Sequence, residues 1–148
     1  MLTAVHEYSV PMHHLMPKLP SWHICSRTHM HEYTVTIACS APDHQFTPEI
    51  SDLLAVARAE IERNLRYGHI NDLGGSWQPS ADHATLAKWV HATVTSRLPK
   101  ELAPAVTVQV TLREGKSPRV FPEGRSIPKW PSTSDALTAS SRATTTHQ

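Results

Sequence analysis

The chain has 148 residues, which suits one domain with a hydrophobic core. Its net charge is +1 and its lysines and arginines form no phosphate-binding stripe, which argues against nucleic acid as the main partner. No apolar run approaches the roughly 20 residues of a membrane-spanning helix, and the amino terminus lacks the pattern of a signal peptide, so we expect a cytoplasmic protein with no membrane partner.

Two strands are predicted in the first third of the chain. Residues 3 to 12 alternate weakly in polarity and form the first strand. A second strand is expected from about His29 to Cys39, because it contains the strand-like run Tyr33 to Ile37. A proline-rich connection from Met16 to Trp22 lies before this second strand.

An amphipathic helix is predicted next. Thr47 and Pro48 supply an N-cap and a first-turn proline, and apolar residues recur at helical spacing from Ile50 to Leu65. A glycine-bearing loop from Gly68 to Pro79 is expected after this helix.

The rest of the pattern predicts a second helix and two more strands. The helix starts near Ser80 or Asp82 and is stopped by Pro99. Residues Val106 to Leu112 alternate between apolar and polar, which is typical of a sheet with one buried face. A short last strand at Arg119 to Phe121 is expected to pair with them.

The predicted order is therefore ββααββ, and the fold class is α+β. Two helices on one face of a four-stranded antiparallel sheet make a two-layer architecture. We expect residues 1–121 to form this domain. Residues 122–148 are rich in proline, serine and threonine with few apolar anchors, so we expect a disordered tail.

One short segment carries the main indication of chemistry. Residues 25 to 31 read Cys-Ser-Arg-Thr-His-Met-His and open the second strand. In a strand, His29 and His31 point to the same side, where two imidazoles can clamp Zn²⁺. His14 is the natural candidate for a third ligand. Because Cys25 and Cys39 are too few for a disulfide framework, a reduced thiol at Cys25 is expected beside the metal.

The same residues resemble a known signature. An early histidine followed by Cys-x-x-x-His-Gly-His is typical of the 6-pyruvoyltetrahydropterin synthase and 6-carboxytetrahydropterin synthase family, and His14 to His31 is similar to it with Met30 in place of the glycine. Three further segments resemble family motifs in the same order over roughly residues 5 to 121: Glu49 to Leu53, Ile70 to Asp72 and Pro79 to Asp82.

The resemblance implies a tunnelling fold (T-fold) and a zinc-dependent lyase. The implied substrate is 7,8-dihydroneopterin triphosphate, and the implied product is a 6-carboxy- or 6-pyruvoyl-tetrahydropterin. By resemblance, His14, His29 and His31 bind Zn²⁺ and Cys25 is the catalytic thiol. A homo-oligomer, hexameric or tetrameric, with active sites between subunits is also implied, and it would cover the edges of the sheet.

Two substrate contacts are implied as well. Glu114 matches the family's glutamate that anchors the pterin ring, where a carboxylate accepts two hydrogen bonds from the 2-amino-pyrimidinone edge. An alternative register places Val110 at that position. Arg27 is an implied contact for the triphosphate.

The family's Asp-His pair, which shares proton transfer with the cysteine, has two possible matches. Without a gap, Arg66 and Tyr67 stand in its place; with two residues deleted, Gly68 and His69 do, and His69 becomes the catalytic histidine. The aspartate is absent in both. This leaves open a second hypothesis, a repurposed or non-catalytic T-fold protein that binds a pterin or purine-like ligand. A further alternative makes Cys25 the fourth ligand of a closed structural zinc site.

Overall fold

Six regular elements follow one another in the order predicted from the sequence. The computed structural model describes residues 2–15, 18–23, 28–42, 48–75, 77–79, 81–113 and 117–127. The elements are β1 (Leu2–His14), β2 (His29–Ala41), α1 (Pro48–Leu65), α2 (His83–Ser96), β3 (Val106–Leu112) and β4 (Arg119–Phe121). Among these described residues, neither helix is both long and apolar enough to cross a bilayer.

The four strands form one antiparallel sheet in the order β1-β2-β3-β4. Alternate residues of the central strands, such as Val35 in β2 and Val110 in β3, are paired with each other and are fully buried. They share the core with apolar residues of both helices, including Ile61 of α1 and Val90 of α2. The predicted α+β fold, with two helices on one face of a four-stranded antiparallel sheet, is confirmed.

The opposite face of the sheet is lined mainly by polar side chains. The hydroxyls of Thr3 and Ser40, which are directly opposite each other in the β1–β2 register, are 2.9 Å apart. The hydroxyl of Thr36 donates to the carboxylate of Glu7 across the same pair of strands at 3.4 Å. Successive side chains of β1 therefore alternate between the helix-covered core and this polar face. The neighbouring histidines at its end, His13 and His14, belong to opposite faces.

Several boundaries differ from the sequence-based expectation. β1 extends to His14 and β2 to Ala41, because pairing between strands continues beyond the alternating segments. The start of α2 agrees with the expectation: its N-cap is Asp82, whose carboxylate accepts hydrogen bonds from the N–H groups of Ala84 and Thr85. Thr47, the expected N-cap of α1, and residues 128–148 of the expected tail lie outside the described residues.

Two 3₁₀ helices were not predicted. One spans Ile70–Gly75, inside the segment expected to be a loop, and the other spans Lys100–Ala105 before β3. Each has six residues, which is too short for an apolar repeat to distinguish it from a turn. The first of these helices contacts the end of β1 and so belongs to the surroundings of the site.

One buried hydroxyl lies between β1 and α1. Tyr8 is 6% exposed, and its hydroxyl has no hydrogen-bond partner within the described part of the chain. Burial, with the nearby Glu62 carboxylate, raises the pKa of this phenol well above its ordinary value, and Arg58 partly opposes the shift. The Arg58 guanidinium lies over the ring at 5.4 Å, an attraction that needs only the aromatic face.

Replacing Tyr8 with phenylalanine is expected to stabilise the protein by about 1 kcal/mol, because it removes a buried polar atom without a partner and keeps the ring contact with Arg58. Urea denaturation measures the change. Tyr67→Phe is the control, since Tyr67 is 60% exposed. A lower free energy of unfolding in Tyr8→Phe would contradict the conclusion that the Tyr8 hydroxyl is buried without a hydrogen-bond partner.

Two histidines, His6 and His91, have lowered pKa values. Burial lowers the pKa of His6, and the positive charge of Arg58 adds to the effect. Burial also lowers the pKa of His91, whose ring meets that of Phe121 at 4.8 Å; a backbone hydrogen bond with Val106 opposes this, and Arg125 adds a smaller lowering. The folded state therefore takes up these protons at lower pH than the unfolded chain, which binds them at about pH 6.5.

The free energy of unfolding is expected to fall as the pH drops below about 6.5, by at most about 1.4 kcal/mol per pH unit for each of these two histidines. The double variant His6→Gln/His91→Gln should flatten that slope between pH 7 and pH 5, with each single variant in between. Urea titrations with a chelator present exclude effects of metal binding. An unchanged slope in the double variant would contradict the prediction.

Candidate metal centre

Antiparallel pairing of β1 with β2 places three histidines at one end of the sheet. His14 is the last residue of β1 and lies directly opposite His29, the first residue of β2. His31 is two residues further along β2 and so shares a face with His29. Met12 and Tyr33, which have the same parity, are fully buried in the core. All three imidazoles therefore belong to the face that the helices cover.

These three side chains, the histidine triad, lie in mutual contact. The ring centroid of His14 is 5.1 Å from that of His29 and 5.7 Å from that of His31, and the last two are 4.5 Å apart. The Nε2 atoms of His29 and His31 are 2.8 Å apart, which is a hydrogen-bond distance. His14 is 4% exposed, whereas His29 and His31 are half-buried. The triad is thus closed to water on the His14 side and more open on the side of β2.

The donor set of the triad fits a metal ion. One nitrogen of each ring lies within 4.8 Å of the other two. Nitrogen ligands at about 2.0–2.1 Å from a tetrahedral Zn²⁺ are about 3.3 Å apart, which lies within the 4.8 Å that contains the three nitrogens. The expected ligands His14, His29 and His31 are therefore brought together.

The segment after α1 runs beside the end of β1. The N–H of Tyr67 donates to the carbonyl of Pro11 at 2.8 Å, and the N–H of His13 donates to the carbonyl of Gly68 at 2.7 Å. Tyr67 has a positive φ of 60°, a left-handed conformation that ends α1. At Gly68 a Cβ would lie 2.9 Å from the carbonyl oxygen of Leu65, so a side chain there would require the backbone to move. This sharp exit from α1 brings His69 beside His13.

His69 lies next to the triad's strand rather than in a distant loop. It forms a parallel β-bridge with His13, and their rings are 6.3 Å apart and nearly parallel. Its ring is also 5.3 Å from that of Trp77. The Nδ1 atom of His69 is buried and makes no hydrogen bond among the described residues. By contrast, Tyr67, the alternative match to the family's histidine, is 60% exposed with Arg66 stacked on its ring.

Three expected site residues lie outside the described part of the structure: Cys25, Arg27 and Glu114. Their roles remain predictions. The other cysteine, Cys39, is buried on β2, and burial raises the pKa of its thiol to about 11, so it is unsuited to act as a thiolate.

One residue with no role assigned from the sequence contacts the site's strand. Asn71 is fully buried, and its side chain hydrogen-bonds with both backbone groups of Leu15, the residue after His14. In the sequence Asn71 stands only within the Ile70 to Asp72 motif, and no local signal there identifies its contact with Leu15.

Comparison with known proteins gives a family match. The family model for 6-pyruvoyl tetrahydropterin synthase matches residues 4–123. Among solved structures, the chain is similar to the 6-pyruvoyl tetrahydropterin synthase of Caenorhabditis elegans, with 10% identity and a TM-score of 0.49, covering 74% of this chain and 87% of that chain. The family match includes the triad, His69 and Asn71.

The geometry predicts that His14 and His13 differ sharply in metal binding. His14→Ala should lower the affinity for Zn²⁺ or Co²⁺ by more than about 100-fold, since losing a ligand exceeds the 10- to 100-fold typical of losing an outer-shell partner. His13→Ala should bind as the wild type does, because its side chain belongs to the opposite face. Competition with a chromogenic chelator measures both. Equal losses in the two variants would contradict the assignment of faces.

Proposed function

The chain belongs to the 6-pyruvoyl tetrahydropterin synthase family, and we propose that it is a zinc-dependent lyase acting on 7,8-dihydroneopterin triphosphate. The proposed product is a 6-carboxy- or 6-pyruvoyl-tetrahydropterin. The observation that carries the proposal is the convergence of His14, His29 and His31 at one end of the helix-covered face. Membership of the family supports pterin chemistry, and the triad supports a metal ion as its cofactor.

The triad's residues suit zinc in particular. Three neutral imidazoles leave the ion its full positive charge and a position for a substrate oxygen, as in catalytic rather than structural sites. Bound there, Zn²⁺ would supply Lewis acidity toward the hydroxyl and carbonyl oxygens of the substrate side chain. His14 excludes water from the inner side, and the Tyr33 ring, at 5.9 Å from His31, covers the triad toward the core.

Cys25 is proposed to transfer a proton to and from the substrate's side chain. It precedes His29 by four residues, and a nearby cation favours the thiolate over the thiol. Cys39 cannot replace it, because burial holds the pKa of the Cys39 thiol near 11. His69 is proposed as the second acid-base residue. A buried Nδ1 without a hydrogen-bond partner among the described residues supports this role, since it leaves a polar atom of the ring for contact with a ligand.

The substrate's two ends are proposed to bind Glu114 and Arg27. Glu114 follows Leu112 by two residues, and Leu112 is a buried, helix-facing residue of β3. A carboxylate at this position would accept two hydrogen bonds from the pterin edge. Arg27 would pair with the triphosphate, for which a guanidinium offers several donors.

A homo-oligomer, hexameric or tetrameric, is also proposed, with active sites between subunits. β1 and β4 are the outer strands of the sheet, and β1 is 13 residues long. Long outer strands are usually covered in stable proteins, and association of subunits is one way to cover them.

A second candidate function is favoured by one specific observation. Arg66 and Tyr67 stand where a gap-free match places the family's Asp-His pair, and neither can act as a carboxylate orienting a histidine. The chain would then be a T-fold protein that binds a pterin or purine-like ligand without turning it over.

Zinc-loaded protein is expected to convert dihydroneopterin triphosphate to product, and Cys25→Ala should abolish the conversion while keeping stoichiometric zinc. Cys39→Ala is the matched control and should retain activity. Product is measured by chromatography and zinc by mass spectrometry. No turnover by zinc-replete wild type would contradict the lyase and favour the binding protein. Loss of zinc in Cys25→Ala would instead indicate a closed structural site in which the cysteine is the fourth ligand.

A further inference from the structure

Asn71 uses its side chain to hold the end of β1. Its Oδ1 accepts a hydrogen bond from the N–H of Leu15 at 3.0 Å, and its Nδ2 donates to the carbonyl of Leu15 at 2.8 Å. The same Nδ2 donates to the carbonyl of Gln78 at 2.7 Å. Asn71 is 0% exposed. Both amide hydrogens and the oxygen are therefore engaged inside the protein, where each bond is costly to lose.

The contact with Leu15 continues the pairing of β1 past its last strand residue. A carboxamide presents a donor and an acceptor side by side, as a neighbouring strand does, so it can pair with both backbone groups of one residue. Two residues earlier, His13 donates to the carbonyl of Gly68 on the same edge. The backbone on both sides of His14 is thus tied to the segment after α1, while His14 itself is paired with His29 across the sheet.

Because His14 lies at the end of β1, anchoring of the backbone there affects metal binding. His14 is the final residue of β1, and the ends of strands are where local opening is easiest. A ligand on a mobile backbone must be ordered when the metal binds, which weakens binding, whereas a ligand already in place needs no ordering.

We propose that Asn71 is a positioning residue of the metal centre, which fixes Leu15 and thereby the imidazole of His14 before the metal binds. This inference rests on the proposed zinc site. Tight metal binding then requires the carboxamide of Asn71 in addition to the three imidazoles. A side chain of the same size without hydrogen-bond donors cannot replace it. Aspartate at this position would face the carbonyls of Leu15 and Gln78 with a negative oxygen.

The test compares metal binding in Asn71→Asp, Asn71→Ser and a core control, Val94→Ala. Val94 is fully buried on α2 within the hydrophobic core and is not a partner in the hydrogen bonds between Asn71 and Leu15, so its replacement lowers stability without removing them. Each apo protein is titrated with Co²⁺, with affinity from chelator competition and ligand geometry from the visible d–d absorption. Thermal unfolding ranks the stabilities, and Asn71→Ser serves if the charged variant fails to fold.

We expect the Asn71 variants to lose about 10- to 100-fold in Co²⁺ affinity and to change the d–d spectrum, as when an outer-shell partner is removed. Val94→Ala should keep the wild-type affinity and spectrum at a comparable loss of stability. In wild-type apo protein, the Leu15 amide hydrogen should exchange slowly with solvent. This measurement requires no variant. Wild-type affinity and spectrum in the Asn71 variants, equal losses in Val94→Ala, or rapid exchange at Leu15 would each overturn the inference. Failure of wild-type protein to bind the metal would instead overturn the proposed zinc site on which it rests.

Discussion

Thirteen residue pairs join β1 to β2, and the last of them sets His14 opposite His29. Side chains alternate between the two faces of a sheet, so a slip of one residue would move His14 to the polar face and bring His13 to the helices. The buried residues Val10 and Met12 in β1 prevent that slip, because they would lose their place in the core. The same hydrophobic pattern that builds the fold therefore assembles the histidine triad.

The segment from the end of α1 to Gln78 completes the surroundings of the triad. The left-handed Tyr67 and the tightly packed Gly68 turn the chain back along β1, and Asn71 ties the turn to Leu15. His69 is carried to the side of His13 by the same turn. Tyr67, by contrast, is 60% exposed.

The element order, the register parity and the three histidines follow from patterns that are local in the sequence. Two residues at i and i+2 of a strand, such as His29 and His31, share a face of the sheet, so their proximity can be predicted from the sequence. Predicting His14 as the third ligand requires only the further assumption that the two strands are neighbours. The role of Asn71 does not follow, because it depends on hydrogen bonds with Leu15, 56 positions away in the sequence. The 3₁₀ helix Ile70–Gly75 does not follow either, because six residues are too few to carry a periodic signal.

We expect the triad to hold zinc by three imidazoles, with the thiol of Cys25 left outside the coordination shell. X-ray absorption at the zinc edge on the loaded protein measures this directly. The expected spectrum shows scattering from nitrogen or oxygen atoms alone at about 2.0–2.1 Å, with the outer-shell pattern of three imidazoles. A sulfur atom at about 2.3 Å, or fewer than three imidazoles, would contradict this coordination.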